Sequence, residues 1–94
     1  MTDDKKKTLI VNMTDNLKTL RVRLGMSQSD LAKVIGVNRH TVMNIETRRS
    51  EMTWPIFLAL VLLFIKNEET NKLLNVLEIY TDELNEFIKQ GDNK

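Results

Sequence analysis

The stretch that decides the fold spans residues 27–48 and reads SQSDLAKVIGVNRHTVMNIETR. Ser27 can cap a helix that follows it, and Asp30, three positions on, can bond back to Ser27 as in a capping box. The apolar residues that come next share one face of that helix because they are three and four positions apart. They are Leu31, Val34 and Ile35. The stretch therefore predicts an amphipathic helix that starts near Gln28.

A second helix follows after a tight turn. Gly36 ends the first helix because glycine readily adopts the left-handed conformation found at many helix C-termini, and Asn38 can cap the next helix. At about 100° per residue, Val42, Ile45 and the Glu46 carboxylate lie on one side of the second helix. The opposite side carries His40, Met43, Asn44 and Thr47. One side is expected to pack, and the other is free to contact a partner.

The spacing of eight residues in this stretch resembles the helix-turn-helix of the phage-repressor-like (Xre-type) DNA-binding family. These residues are Gln28, Leu31, Ala32, Gly36, Val37, Val42, Ile45 and Glu46. The resemblance continues backward through residues 16–28, NLKTLRVRLGMSQ, and covers about half of the chain. In this family the second helix of the motif lies in the major groove with its N-terminal residues on base edges.

Carried over by position, the resemblance implies base contacts from the second helix, namely from Arg39, His40, Met43 and Asn44. Arginine or histidine can donate to guanine, asparagine can pair with adenine, and methionine can touch a thymine methyl group. Phosphate contacts are expected from Ser27, Gln28, Thr41, Thr47, Arg48 and Arg49. For Arg48 and Arg49 a solvated surface pair is an equal alternative.

An ion pair is a second feature that matches the family. Arg21 and Glu46 occupy the positions of a largely buried ion pair, which implies a structural role in holding the first helix against the motif. Arg48 stands where the family usually has glycine, so the backbone of this loop is expected to differ.

Composition excludes several classes of function. The chain has 94 residues and no cysteine, so it is expected to be one domain without disulfides or thiolate metal sites. Its single histidine has no partner cluster for a metal, and no glycine-rich phosphate loop or nucleophile beside a base is present. Neither an enzyme nor a cofactor is expected.

Charge is unevenly distributed. Residues 1–50 contain ten Lys or Arg and five Asp or Glu, whereas residues 51–94 contain four and eight. A cationic half that faces phosphates and an acidic half turned away is typical of a small DNA-binding protein.

No membrane or export segment is expected. The N-terminus has too few apolar residues for a signal peptide, and the longest apolar run, residues 54–65, is shorter than the roughly 20 residues that cross a bilayer. We expect a cytoplasmic protein.

The chain is predicted to have three parts. Residues 1–12 are predicted to form a flexible arm. Its lysines, Lys5, Lys6 and Lys7, either enter the minor groove of DNA or form a solvated tail. Alternatively, residues 8–11 form a short strand. Residues 13–66 form the helix-turn-helix domain, with a first helix from Met13 or Thr14 to Leu24. A helix from Thr53 or Trp54 to about Lys66 is apolar on all sides and must be covered all round.

Residues 67–94 are predicted to form a long amphipathic C-terminal helix. Its apolar residues recur at spacings of four and three, as in a heptad seam. They are Leu73, Leu77, Tyr80, Leu84 and Phe87, and we predict that they form a dimer interface.

The sequence thus predicts an all-α, five-helix, repressor-like domain that binds double-stranded DNA. A homodimeric repressor of a palindromic operator is the simplest function. The alternative is an antitoxin, which binds a toxin, or another regulator, through its C-terminal region and binds its own promoter through the motif.

Overall fold

The computed structural model describes residues 1–90, which form six α-helices and no strand. The helices are α1 (Asp3–Arg23), α2 (Gln28–Ile35), α3 (Arg39–Glu46), α4 (Trp54–Ile65), α5 (Glu68–Val76) and α6 (Asp82–Gln90). The predicted all-α class is confirmed. The count is six and not five because the predicted C-terminal helix is two helices.

The first helix starts much earlier than predicted. The Thr2 hydroxyl oxygen accepts a bond from the Lys5 amide at 3.2 Å, and Asp3 and Asp4 occupy the first turn of α1, where negative charge is favourable. The prediction of a flexible arm at residues 1–12, or of a strand at residues 8–11, was therefore wrong.

Packing explains why the early part of α1 is ordered. Leu9 is buried and continues the apolar face of Met13 and Leu17 by one more turn. Thr14, the predicted cap, lies inside the helix and donates its hydroxyl to the Ile10 carbonyl at 2.8 Å. The predicted helical end is confirmed, since α1 ends at Arg23.

The helix-turn-helix forms as predicted. Ser27 and Asp30 make both bonds of the capping box, at 3.0 and 3.1 Å. Gly36 has a left-handed backbone with φ of 82° and ends α2, and the Asn38 side chain caps α3 by accepting from the Thr41 amide at 2.9 Å. Each end of the motif is thus set by local bonds.

The core is built around α4, which contacts α1, α2 and α5. Phe57, Leu60 and Phe64 of α4 are fully buried, as are Leu20 of α1 and Leu31 of α2. Thr53 caps α4, and Pro55 lies in its first turn, where a missing amide hydrogen costs little.

One side of α4 is not covered. Leu62 is 58% exposed, so residues 1–90 of a single chain do not cover this helix on every side. Val34 of α2, predicted to pack with Leu31, is 55% exposed on the same part of the surface. The chain does not supply enough apolar cover within residues 1–90 to bury this side.

The predicted C-terminal helix is interrupted at residues 77–81. Glu78 has a left-handed backbone with φ of 58°, and the amide of buried Ile79 donates back to the Leu74 carbonyl at 2.8 Å. Thr81 then accepts from the Leu84 amide at 3.1 Å and starts α6. The single seam along one long helix was therefore a wrong prediction, because the chain turns back on itself here.

The predicted dimer residues pack mainly within the chain. Leu84 is fully buried, and the other four are partly buried against the core, namely Leu73, Leu77, Tyr80 and Phe87. Phe87 of α6 meets the ring of Trp54 edge on, with centroids 6.4 Å apart. Leu84 has no exposed surface left for a second chain in this fold.

Candidate nucleic-acid interface

The two sides of α3 have opposite characters. Val42 and Ile45 are buried against the rest of the domain. The side chains predicted to contact bases are all accessible: Arg39 and His40 are exposed, and Met43 and Asn44 are partly exposed. At about 100° per residue, His40, Met43 and Asn44 lie on the side away from the buried pair, whereas Arg39 lies at the edge of that side. The structure therefore leaves all four predicted residues accessible.

The polar side chains of this surface are held by local bonds. Besides capping the helix, the Asn38 Oδ1 atom accepts from the Thr41 hydroxyl at 3.2 Å. The Thr47 hydroxyl donates to the Met43 carbonyl at 2.9 Å. A phosphate oxygen accepts hydrogen bonds, so each hydroxyl would have to leave its present acceptor and donate its one hydrogen to the phosphate. Both phosphate contacts therefore stay predictions.

A bidentate ion pair fixes α3 against α1. Arg21 Nε lies 2.7 Å from Glu46 Oε2, and Arg21 Nη2 lies 3.0 Å from Glu46 Oε1. Only 10% of the arginine side chain and 6% of the glutamate side chain are exposed. Arg21 Nη1 also donates to the Met26 carbonyl at 2.9 Å, which ties the pair to the loop before α2.

The ion pair changes the titration of both groups. Burial alone would raise the pKa of Glu46, but the bonds from Arg21 and Gln28 outweigh burial and lower it below its ordinary value. The bond to Glu46 raises the pKa of Arg21 further above its already high value. Both groups therefore stay charged at neutral pH, as the family resemblance implied.

Gln28 has a structural role that the sequence reasoning missed. Its side-chain amide donates to Glu46 Oε1 at 3.0 Å, so α2 joins α1 and α3 in one polar network. A buried carboxylate has more acceptor sites than one arginine fills, and that demand for another donor was the available signal. The predicted phosphate contact of Gln28 would have to use its remaining amide hydrogen.

Arg48 follows α3 in an unusual backbone conformation. Its φ is 64°, the left-handed region that glycine adopts most easily, although arginine stands here. The Arg49 amide donates to the Asn44 carbonyl at 2.8 Å and closes the end of α3. Arg48 Nη2 lies 2.6 Å from Asp15 Oδ1 of α1, a contact that sequence reasoning also missed.

Comparison with protein families decides the classification. Residues 13–64 match a family model described as a helix-turn-helix domain. The chain belongs to this helix-turn-helix family. The predicted Xre-type resemblance is consistent with the match. Comparisons with curated protein sequences and with solved structures gave no significant match.

The helix-turn-helix domain presents positive charge around its exposed α3 surface. The exposed cations from α2 to the loop after α3 are Lys33, Arg39, Arg48 and Arg49. Glu46, the one acid within α3, is neutralised by Arg21 behind the surface. The buried acid therefore does not repel a polyanion from the exposed side of the domain.

Residues 1–90 contain neither a membrane-spanning helix nor a metal-binding cluster. No helix of residues 1–90 combines the length and the apolar character needed to span a bilayer. Over the same residues, no group of three or more acidic or histidine side chains is arranged to hold a metal ion.

Proposed function

We propose that this helix-turn-helix protein is a sequence-specific transcriptional regulator, most simply a homodimeric repressor that occupies a palindromic operator. The observation that carries the proposal is the exposed face of α3. His40, Met43 and Asn44, which have base-reading chemistry, lie there opposite the side of α3 that is buried in the core. Arg39 is exposed at the edge of the same face.

The chemistry of this face fits base recognition. Arg39 and His40 lie in the first turn of α3, and helix-turn-helix proteins place that end of the recognition helix deepest in the major groove. Asn44 can donate and accept in one plane, as adenine requires, while Met43 offers an apolar contact to a thymine methyl group.

Groups around the α3 face can bind the DNA backbone, and such binding does not depend on the base sequence. Arg48 and Arg49 follow α3, and Ser27 lies at the positive end of α2, where backbone amides favour an anion. Such contacts set the position of the domain on the duplex. The Arg21 and Glu46 pair then fixes the angle at which α3 enters the groove.

The experiment starts from duplexes that the purified protein selects from a random pool. We expect Asn44→Ala to weaken binding to the selected duplex by about 1 to 3 kcal/mol and to relax preference at one base pair. Arg49→Ala should weaken binding to selected and random duplexes alike, and the effect should shrink at high salt.

A matched control variant distinguishes the loss of base recognition from a general effect of removing an exposed asparagine side chain. Asn75→Ala removes the same side chain from the exposed surface of α5 and should leave binding unchanged. Failure to enrich any sequence, or equal losses on selected and random duplexes for Asn44→Ala, would contradict the proposal.

A further inference from the structure

An apolar face runs along the outer side of α4. We define the α4 face as Leu58, Leu62 and Ile65 of α4, together with Val34 of α2 and Ile88 of α6. Leu62 is 58% exposed, Val34 55% and Ile88 45%, although each is a large apolar side chain. Single exposed apolar residues are common, but a contiguous group indicates an interaction surface.

Grooves flank Leu62 on both sides. One groove, of about 400 Å³, lies between α2 and α4. The other, of about 240 Å³, lies between α4 and the side chains of Tyr80 and Ile88. Leu62 lines both grooves and forms the ridge between them. A ridge beside a groove is self-complementary, because the ridge of one copy can enter the groove of another.

The chemistry of the α4 face excludes a polar ligand. Among residues 1–90, Lys66 is the one charged residue that lines either groove. The Tyr80 hydroxyl, the polar group of the second groove, already donates to Asn85 Oδ1 at 2.6 Å. A nucleic acid would find no cluster of cations here, so the occupant must be another apolar protein surface.

The size of the face sets the strength of the association. The 12 residues of α4 span about 18 Å, and three neighbouring helices are about 20 Å across, which gives roughly 360 Å² of flat area on each copy. Stable complexes bury about 1,200 to 2,000 Å² in total. Two such faces would bury about 720 Å² in total, which is below that range. The free chain is therefore expected to pair only weakly, and two adjacent sites on DNA would complete the dimer.

We propose that the α4 face is the docking surface for a second copy of this chain, with Leu62 of each copy in a groove of the other. This inference rests on the proposed homodimeric regulator and assigns its interface. Of the residues of the predicted seam, Tyr80 lines this face, whereas Leu84 is buried. Since α2 contacts both α3 and α4, pairing through α4 couples the two recognition helices through packed elements.

Sedimentation velocity of the full chain, over about a hundredfold range of concentration, measures the association directly. The wild type should shift from monomer to dimer as concentration rises. Leu62→Glu should weaken the dimer at least about tenfold, because a carboxylate would be buried without a partner. Val76→Glu, at a residue 77% exposed on α5, is the matched control and should associate like the wild type.

A second readout uses the absence of native cysteine. With a flexible bis-maleimide reagent, Leu62→Cys should cross-link to a dimer, whereas Val76→Cys should not. A wild type that stays monomeric at every concentration, an association unchanged by Leu62→Glu, or equal cross-linking of the two cysteine variants would overturn the inference.

Binding to selected duplexes distinguishes this inference from the proposed function. Leu62→Glu should bind a single half-site like the wild type and lose affinity only for the paired site. If Leu62→Glu binds the paired site as tightly as the wild type, the α4 face is not the interface, although DNA recognition would stand. If no duplex is selected while Leu62→Glu still disrupts a dimer, the proposed function fails and the interface stands.

Discussion

Removing one partner of the Arg21 and Glu46 ion pair should destabilise the domain strongly. In Glu46→Ala, Arg21 loses its bonds of 2.7 and 3.0 Å and keeps only the Met26 carbonyl at 2.9 Å. Hydrogen bonds to charged groups contribute about 1.5 to 3 kcal/mol each, and a buried charge left alone costs about 3 to 5 kcal/mol. We therefore expect a loss of about 4 kcal/mol in the free energy of unfolding.

This loss is large for a domain of this size. At about 0.05 to 0.15 kcal/mol per residue, the chain of 94 residues is stable by about 5 to 14 kcal/mol. Urea denaturation followed by circular dichroism measures the change. With a slope of about 1 to 3 kcal/mol per molar, the midpoint should fall by roughly 2 M.

The double variant Arg21→Met with Glu46→Leu should recover part of the loss. No buried charge remains, and side chains of similar size fill the space, so we expect a cost of about 1 to 2 kcal/mol from the unpaired Gln28 amide and Met26 carbonyl. A double variant as unstable as the single one would show that the space cannot be repacked and would refute this reasoning.

An exposed ion pair serves as the matched control. Arg48 and Asp15 are 2.6 Å apart, closer than the buried pair, but their side chains are 61% and 46% exposed. Asp15→Asn should therefore cost less than about 1 kcal/mol. If Asp15→Asn and Glu46→Ala had similar effects, burial would not be the cause of the larger loss.

Two further predictions concern pH and backbone conformation. Because the folded-state pKa of Glu46 is lowered, the stabilisation by its carboxylate is complete above the unfolded pKa, near 4.3, and is lost as pH falls through the folded value. The urea midpoints of the wild type and of Glu46→Gln should therefore converge in acid. A difference between the two midpoints that stays constant with pH would contradict this prediction. Glu78→Gly should raise the free energy of unfolding by about 0.5 to 1 kcal/mol, because glycine adopts the left-handed backbone without strain. Glu78→Ala keeps the Cβ atom and should not stabilise the protein. Equal effects of the two variants would show that the backbone at residue 78 is not strained.

The helix-turn-helix could be predicted from sequence because its determinants are local. The capping box of Ser27 and Asp30, the left-handed Gly36 and the Asn38 cap each act within a few residues. The periodicity of α3 also identified which side packs, since Val42 and Ile45 are buried as expected. The accessible face of the candidate site followed from the same pattern.

The network behind α3 could be predicted only in part. The family resemblance implied the Arg21 and Glu46 pair, which the structure contains. The contributions of Gln28 and Asp15 depend on how α1, α2 and α3 are arranged in space, and spacing along the chain does not encode that arrangement. A polar side chain on one helix finds its partner on another only after packing is known.

Both wrong helix boundaries involve a threonine that caps a helix. Thr2 and Thr81 each precede two acidic residues and each cap a helix, whereas Thr14, which also precedes an acid, lies inside α1. Apolar periodicity separates Thr2 from Thr14, because Leu9 and Ile10 precede Thr14 and no apolar residue but Met1 precedes Thr2.

Periodicity does not resolve Thr81, because the apolar spacing of α5 continues through Leu77 and Tyr80 into α6. The break there is decided by burial. Ile79 is fully buried only if the chain turns at Glu78, and the left-handed backbone at that glutamate is the cost of the turn. Burying Ile79 contributes about 1.5 to 3 kcal/mol, which is enough to offset the roughly 1 to 2 kcal/mol that a left-handed residue costs. Tertiary packing thus overrides a continuous helical pattern, and this turn is what brings α6 against Trp54 and leaves the outer side of α4 uncovered.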